Sequence, residues 1–88
     1  MRLDKFLKVS RLIKRRTVAN EACDAGRVSV NGKVARASYE VKVDDNVDIA
    51  FGQKIISLRV RSINEYANKD NASEMYEITG EKSVEAAE

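Results

Sequence analysis

The spacing of apolar residues changes period at Gly26, and no other feature constrains the fold of this chain as strongly. Before that point the pattern is helical. Leu3, Phe6, Leu7 and Val9 recur at i, i+3, i+4 spacing, which predicts a helix with one buried stripe. Val18, Ala19, Ala22 and Cys23 repeat the pattern as a second, shorter stripe. Residues 10–16 between them hold no Gly or Pro, so local signals leave one long helix open. Thr17 argues for two helices, because its hydroxyl can cap the free N–H groups of a new one. Asp4 reads in the same way, as a carboxylate in the first turn. Gly26 then ends the helical half in a left-handed conformation that glycine takes without strain.

After Gly26 the pattern alternates, as strands do. Val28 and Val30 flank Ser29, and Asn31-Gly32 follows as a type I′ hairpin signal, with Val34 on the return strand. Tyr39, Val41 and Val43 predict a further strand, and Asp44-Asp45-Asn46 a turn. Val47, Ile49 and Phe51 alternate again up to a turn at Gly52-Gln53. In residues 55–60 the side chains of Ile56, Leu58 and Val60 share one face, opposite Arg59 and Arg61. Residues 64–73 read as a polar loop, Met75 to Thr79 as a late strand or a segment packed on the sheet, and 81–88 as an acidic flexible tail. The expected fold is α+β, with two or three short N-terminal helices packed on a small, mostly antiparallel sheet and a short C-terminal tail. At 88 residues it is a single domain.

Charge follows the same division. Residues 1–36 carry ten basic side chains against three acidic ones, a net +7, and residues 37–88 carry six against eleven, a net −5. The overall +2 conceals that split. A concentrated cationic face on a small domain attracts a polyanion, and nucleic acid is the one to which it points. Other functions lack their parts. The chain has no histidine and a single cysteine, Cys23, so neither a general base paired with a nucleophile nor a zinc ligand set is present. The expectations are accordingly no enzymatic activity, no catalytic residues, no cofactor, no metal and no small-molecule substrate. No apolar run reaches the roughly 20 residues of a membrane span, and no apolar segment follows the N-terminus, which predicts a cytoplasmic protein without membrane contact.

The candidate RNA-binding residues are Arg2, Lys5, Lys8, Arg11, Lys14, Arg15, Arg16 and Lys33. Arginine forks match phosphate oxygens bidentately. Were residues 8–15 helical, Arg11 and Arg15, or Lys8 and Arg11, would share a face. Asp4 and Thr17 are structural caps or lie close to the RNA, with Asp4 orienting Arg2 or Lys5. Arg36 lies beside Lys33, and both either reach phosphate or belong to a solvated strand face.

Arg2-Leu3-Asp4-Lys5-Phe6-Leu7, the basic stretch 11–16, Ala19 and Gly26-Arg27-Val28-Ser29-Val30-Asn31-Gly32 resemble the RNA-binding domain named after small-subunit ribosomal protein four, also called the αL motif. The resemblance implies an αL-type RNA-binding domain over residues 1–62, a loop and possible extra strand over 63–80, and the tail over 81–88. The opening residues 1–17, the Phe51-Gly52-Gln53-Lys54 turn and Met75-Tyr76 are further similar to the stand-alone RqcP (YabO) family. That similarity implies a monomeric factor of ribosome-associated quality control. Its implied partners are large-subunit rRNA, peptidyl-tRNA and RqcH, whose alanine tailing of stalled chains it would support. Two alternatives stand beside this reading. One is a heat-shock-type recycling factor for large subunits bearing nascent chain-tRNA, and the other is a helix-turn-helix DNA-binding regulator.

Overall fold

The computed structural model describes residues 1–64 and 71–83. Two helices, α1 (Leu3–Val9) and α2 (Arg16–Asp24), precede five strands: β1 (Val28–Val30), β2 (Lys33–Val34), β3 (Asn46–Phe51), β4 (Lys54–Val60) and β5 (Tyr76–Ser83). A short 3₁₀ turn, Ala72–Met75, leads into β5. The strands form one antiparallel sheet in the order β2-β1-β3-β4-β5. The α+β class expected from the switch in period is the class observed.

The helices are short because each is stopped by its own local chemistry. Arg11 takes a positive φ of 66° after α1, and residues 10–15 lie outside both helices, so the single long helix does not form. Arg11 and Arg15 therefore share no helical face. At the end of α2, Gly26 has φ of 78°. Its N–H donates to the Cys23 carbonyl at 3.0 Å, and the Arg27 N–H donates to that of Ala22 at 2.9 Å. This pair of bonds is a Schellman closure, and it satisfies carbonyls that the helix leaves open.

One core joins both halves. Leu3, Phe6 and Leu7 of α1 and Ala19 and Cys23 of α2 pack with Val28, Val30, Val47, Ile49, Leu58 and Val60 of the sheet. Register makes the strand contribution coherent. Val47 lies opposite Val30 on one side and Leu58 on the other, while Ile49 lies opposite Val28 and Ile56. Each fully buried Leu or Phe in this set contributes roughly 1.5–3 kcal/mol.

Four details of the sequence reading need correction. The alternating run Tyr39–Val41–Val43 is not a strand. Its backbone serves the N-terminal residues instead, with the Leu3 N–H donating to Tyr39 O at 2.8 Å and the Val41 N–H donating to Met1 O at 2.8 Å, while just before the run Ala37 O accepts from the Asp4 N–H at 3.2 Å. The turn expected at Asp44-Asp45-Asn46 closes earlier, with the Asp45 N–H donating to Lys42 O at 3.1 Å, because Asn46 already pairs with Arg59 in the sheet. Glu81, Lys82 and Ser83 belong to β5, paired with Ile56, Ile55 and Lys54, and not to an acidic tail. The tail reading for 84–88 and part of the loop reading for 64–73 lie outside the described residues. Finally, Val18 is exposed although it was placed on the buried stripe of α2.

The closure at Gly26 makes a direct prediction. Gly26→Ala should lower stability by about 1–2 kcal/mol, the cost of a left-handed L-residue. In urea unfolding the midpoint should fall while the slope stays constant.

Candidate nucleic-acid interface

Asp4 is the most buried carboxylate among the described residues, at 2% exposure. Five donors from four residues meet its carboxylate, Arg2 Nη2 among them at 3.5 Å from Oδ2. Arg2 Nε approaches Oδ1 at 3.2 Å, Arg16 Nε approaches Oδ2 at 3.4 Å, Asn20 Nδ2 approaches Oδ2 at 3.3 Å, and the Lys5 backbone N–H reaches Oδ1 at 2.8 Å. Burial pushes this carboxyl up. The hydrogen bonds from Arg2, Asn20 and Arg16, with the charge of Arg16, outweigh burial and hold it below the ordinary 3.8. Asp4 thus accepts one first-turn N–H of α1, and its larger engagement is with two guanidinium groups brought from opposite sides.

The elements explain how the two arginines meet. Arg2 is extended (φ −65°, ψ 147°) just before α1, and bridges to Glu40 across the 37–41 segment. Arg16 is the first residue of α2, and Asn20 stands one turn later on the same face. Their side chains close on a single anion. One negative charge shared by two positive ones leaves a net +1. Both guanidinium side chains remain half exposed, at 49% and 47%, so unused N–H donors of each fork face solvent. Such a pair is preorganised to hold phosphate oxygens.

Thr17 does not cap α2. The N-cap position is Arg15, extended and without a side-chain cap bond, and Thr17 sits inside the first turn. In place of a local hydroxyl cap, the first helical residue, Arg16, is tied at long range to Asp4. The remaining cations divide into separate groups. Lys14 lines a groove with Val18, Arg27 and Phe51 on the other flank of α2. Lys33 and Arg36 line another, with Asn31, Ser38 and Tyr39, at the β1–β2 hairpin. Lys8, Arg11 and Arg15 are exposed, and Lys5 is half-buried on α1. The structure brings together Arg2 and Arg16, and separately Lys33 and Arg36, while Lys14 stands apart from both pairs.

With this geometry in view, the comparisons decide the family. An S4 domain model matches residues 1–47. The chain is 50% identical over 88 residues to the RQC P-site tRNA stabilizing factor of Halalkalibacterium halodurans, covering 100% of each. It is 50% identical over 84 residues to the protein of that name in Bacillus subtilis, covering 96% of this chain and 98% of that one. The chain belongs to the S4 domain family, among the RQC P-site tRNA stabilizing factors. Of solved structures, the trimeric heat shock protein 15 of Vibrio cholerae is similar, with a TM-score of 0.84 and 26% identity over 90% of this chain and 81% of that one. The resemblance read from the Arg-Leu-Asp-Lys opening and the Gly26–Gly32 element is confirmed. The expectation of a monomer has a counterexample in that trimeric relative.

Two features of this S4 domain escaped the sequence reading. Asn20 was not singled out, although its position four residues after Arg16 on a helix was the available signal. Asp45 was read only as a turn residue. It is 8% exposed and accepts from Asn31 Nδ2 at 3.1 Å, Tyr39 Oη at 3.1 Å and the Lys42 N–H at 2.9 Å. It locks the hairpin to the 37–45 segment, and burial together with Asp45 raises the pKa of Tyr39. Cys23 is buried, and burial with the charges of Asp4 and Asp24 pushes its thiol up to about 11. At neutral pH it is a protonated core side chain. Among the described residues no group of His, Cys, Asp and Glu can hold a metal, and no helix is long and apolar enough to cross a membrane.

Asp4→Asn should destabilise the fold by on the order of 2 kcal/mol at neutral pH, the scale of hydrogen bonds to a charged acceptor. Because the folded-state pKa is depressed, the advantage of Asp4 over Asn is complete above the ordinary carboxylate value. It is lost only as pH falls through the lower folded value. Thermal melts of both proteins from pH 7 down to pH 2 check this, and the two curves should converge only in strong acid.

Proposed function

We propose that this chain is a non-enzymatic, cytoplasmic RNA-binding factor of ribosome-associated quality control. In this reading it binds stalled large ribosomal subunits carrying peptidyl-tRNA and supports RqcH-dependent alanine tailing. End-to-end identity of 50% to proteins named for stabilising P-site tRNA carries the reading. The site agrees in its chemistry. Arg2 and Arg16 present donors from a fixed anchor, and folded RNA is recognised through shape and backbone more than through base sequence. Lys5, Lys8, Arg11, Lys14, Arg15 and Lys33 add a longer-range field, each contact lowering the salt tolerance of binding. The domain over residues 1–62 supplies the RNA-binding surface, and β5 extends its sheet.

The heat-shock recycling reading is favoured by one observation, the close structural match to the Vibrio protein. Identity there is 26%, against 50% for the tRNA-stabilising relatives, which places it second. Loss of alanine tails on stalled chains when the gene is deleted separates the two readings. Tails that persist unchanged would favour recycling.

Arg2→Glu and Arg16→Glu should each weaken co-sedimentation with large subunits about tenfold. Each also takes a partner from Asp4 and lowers the melting temperature, so binding is compared at a temperature where circular dichroism shows the variant folded. Arg16→Ala should reduce the slope of log affinity against log salt by roughly 0.7–0.9. Wild-type co-sedimentation by Arg16→Glu would overturn the proposal.

A further inference from the structure

Beside the Asp4 anchor lies a groove of about 400 Å³ lined by Asp4, Arg16, Thr17, Asn20 and Glu21. Its chemistry is uneven. Arg16 stands at one side as a cation. Thr17 and Glu21 follow on α2, and both offer oxygen acceptors. Asn20 adds a third. Its Nδ2 donates to the acceptor-only carboxylate of Asp4, which fixes the amide with its Oδ1 turned to the other side. Among the described residues Glu21 has no ion-pair partner, so its charge is uncompensated. A second phosphate placed here would meet that carboxylate and be repelled. A hydroxyl placed here would find acceptors on Thr17, Asn20 and Glu21.

We propose that this groove selects RNA over DNA by accepting a hydrogen bond from a ribose 2′-hydroxyl next to a phosphate held by Arg16. The inference rests on the RNA-binding reading above and adds its sugar specificity. In an RNA strand the 2′-hydroxyl lies close to the backbone phosphate, so a cation and a cluster of acceptors side by side match both groups. A polar site built to bond a hydroxyl rejects the analogue lacking it, because its acceptors are then buried without a donor. Thr17 and Glu21 are specificity-determining residues on this account, and Asp4 is a positioning residue acting through Asn20.

The test uses the full 88-residue chain with large-subunit rRNA transcribed with either 2′-hydroxyl or 2′-fluoro pyrimidines, which keep their phosphates and helical form. Wild type should bind the hydroxyl form roughly 3- to 10-fold more tightly, the scale of one net hydrogen bond. Thr17→Val and Glu21→Ala should bring that ratio towards one without weakening affinity for the 2′-fluoro form. Arg16→Ala should weaken both forms and leave the ratio intact. A wild-type ratio of one, or a ratio unchanged in both Thr17→Val and Glu21→Ala, would overturn the inference while leaving RNA binding in place. Failure of wild type to bind either transcript would overturn the RNA-binding reading and this inference with it.

Discussion

A carboxylate removed from water must be compensated, and in this protein the two arginines that compensate Asp4 keep half of their side-chain surface exposed. Burying an unpaired anion costs several kcal/mol. Arg2, Arg16, Asn20 and a backbone N–H meet that cost from three parts of the chain. The same contacts define where α2 starts, how the N-terminal residues lie and which way two guanidinium groups point. The N-terminal residues and the start of α2 are therefore tied together at one atom pair, Oδ1 and Oδ2 of Asp4.

The helices depend on the sheet for support and on α2 for separation of surfaces. Arg16 and Asn20 lie on the flank of α2 that meets Asp4, while Val18 lines a groove with Lys14, Arg27 and Phe51 on the other. Residues two apart on a helix point in nearly opposite directions, so the short sequence Arg16-Thr17-Val18 serves both flanks. The paired β3 and β4 strands hold this arrangement from beneath through Val47, Ile49 and Leu58.

The period of apolar residues made the helices, β1, β3 and β4 legible, and Asn31-Gly32 marked the hairpin because both residues take positive φ, 54° and 87°. What failed was decided by distant partners. The 39–43 run alternates like a strand, yet its Tyr39 carbonyl accepts from Leu3 and its Val41 N–H donates to Met1. Thr17 has the chemistry of a cap, but α2 begins one residue before it, at Arg16, which pairs with Asp4 twelve residues earlier in the chain. Glu81 and Lys82 look like tail residues, but pairing with β4 makes them strand. The cationic half was visible from composition. Its convergence on Asp4 was not, because nothing in a linear sequence shows that residues 2, 4, 16 and 20 share one point.

The amino end of α1 is closed by main-chain carbonyls of Ala37 and Tyr39, and the Val41 N–H donates to the Met1 carbonyl at 2.8 Å. During synthesis the first helix must therefore wait. Its docking partner is made about forty residues later, and the loop between them has to be closed before either end gains from the contact. A nascent chain cut short before that segment can coil its first turn but has nothing to seat it against, so assembly of the Arg2–Asp4–Arg16 cluster becomes a late event in folding.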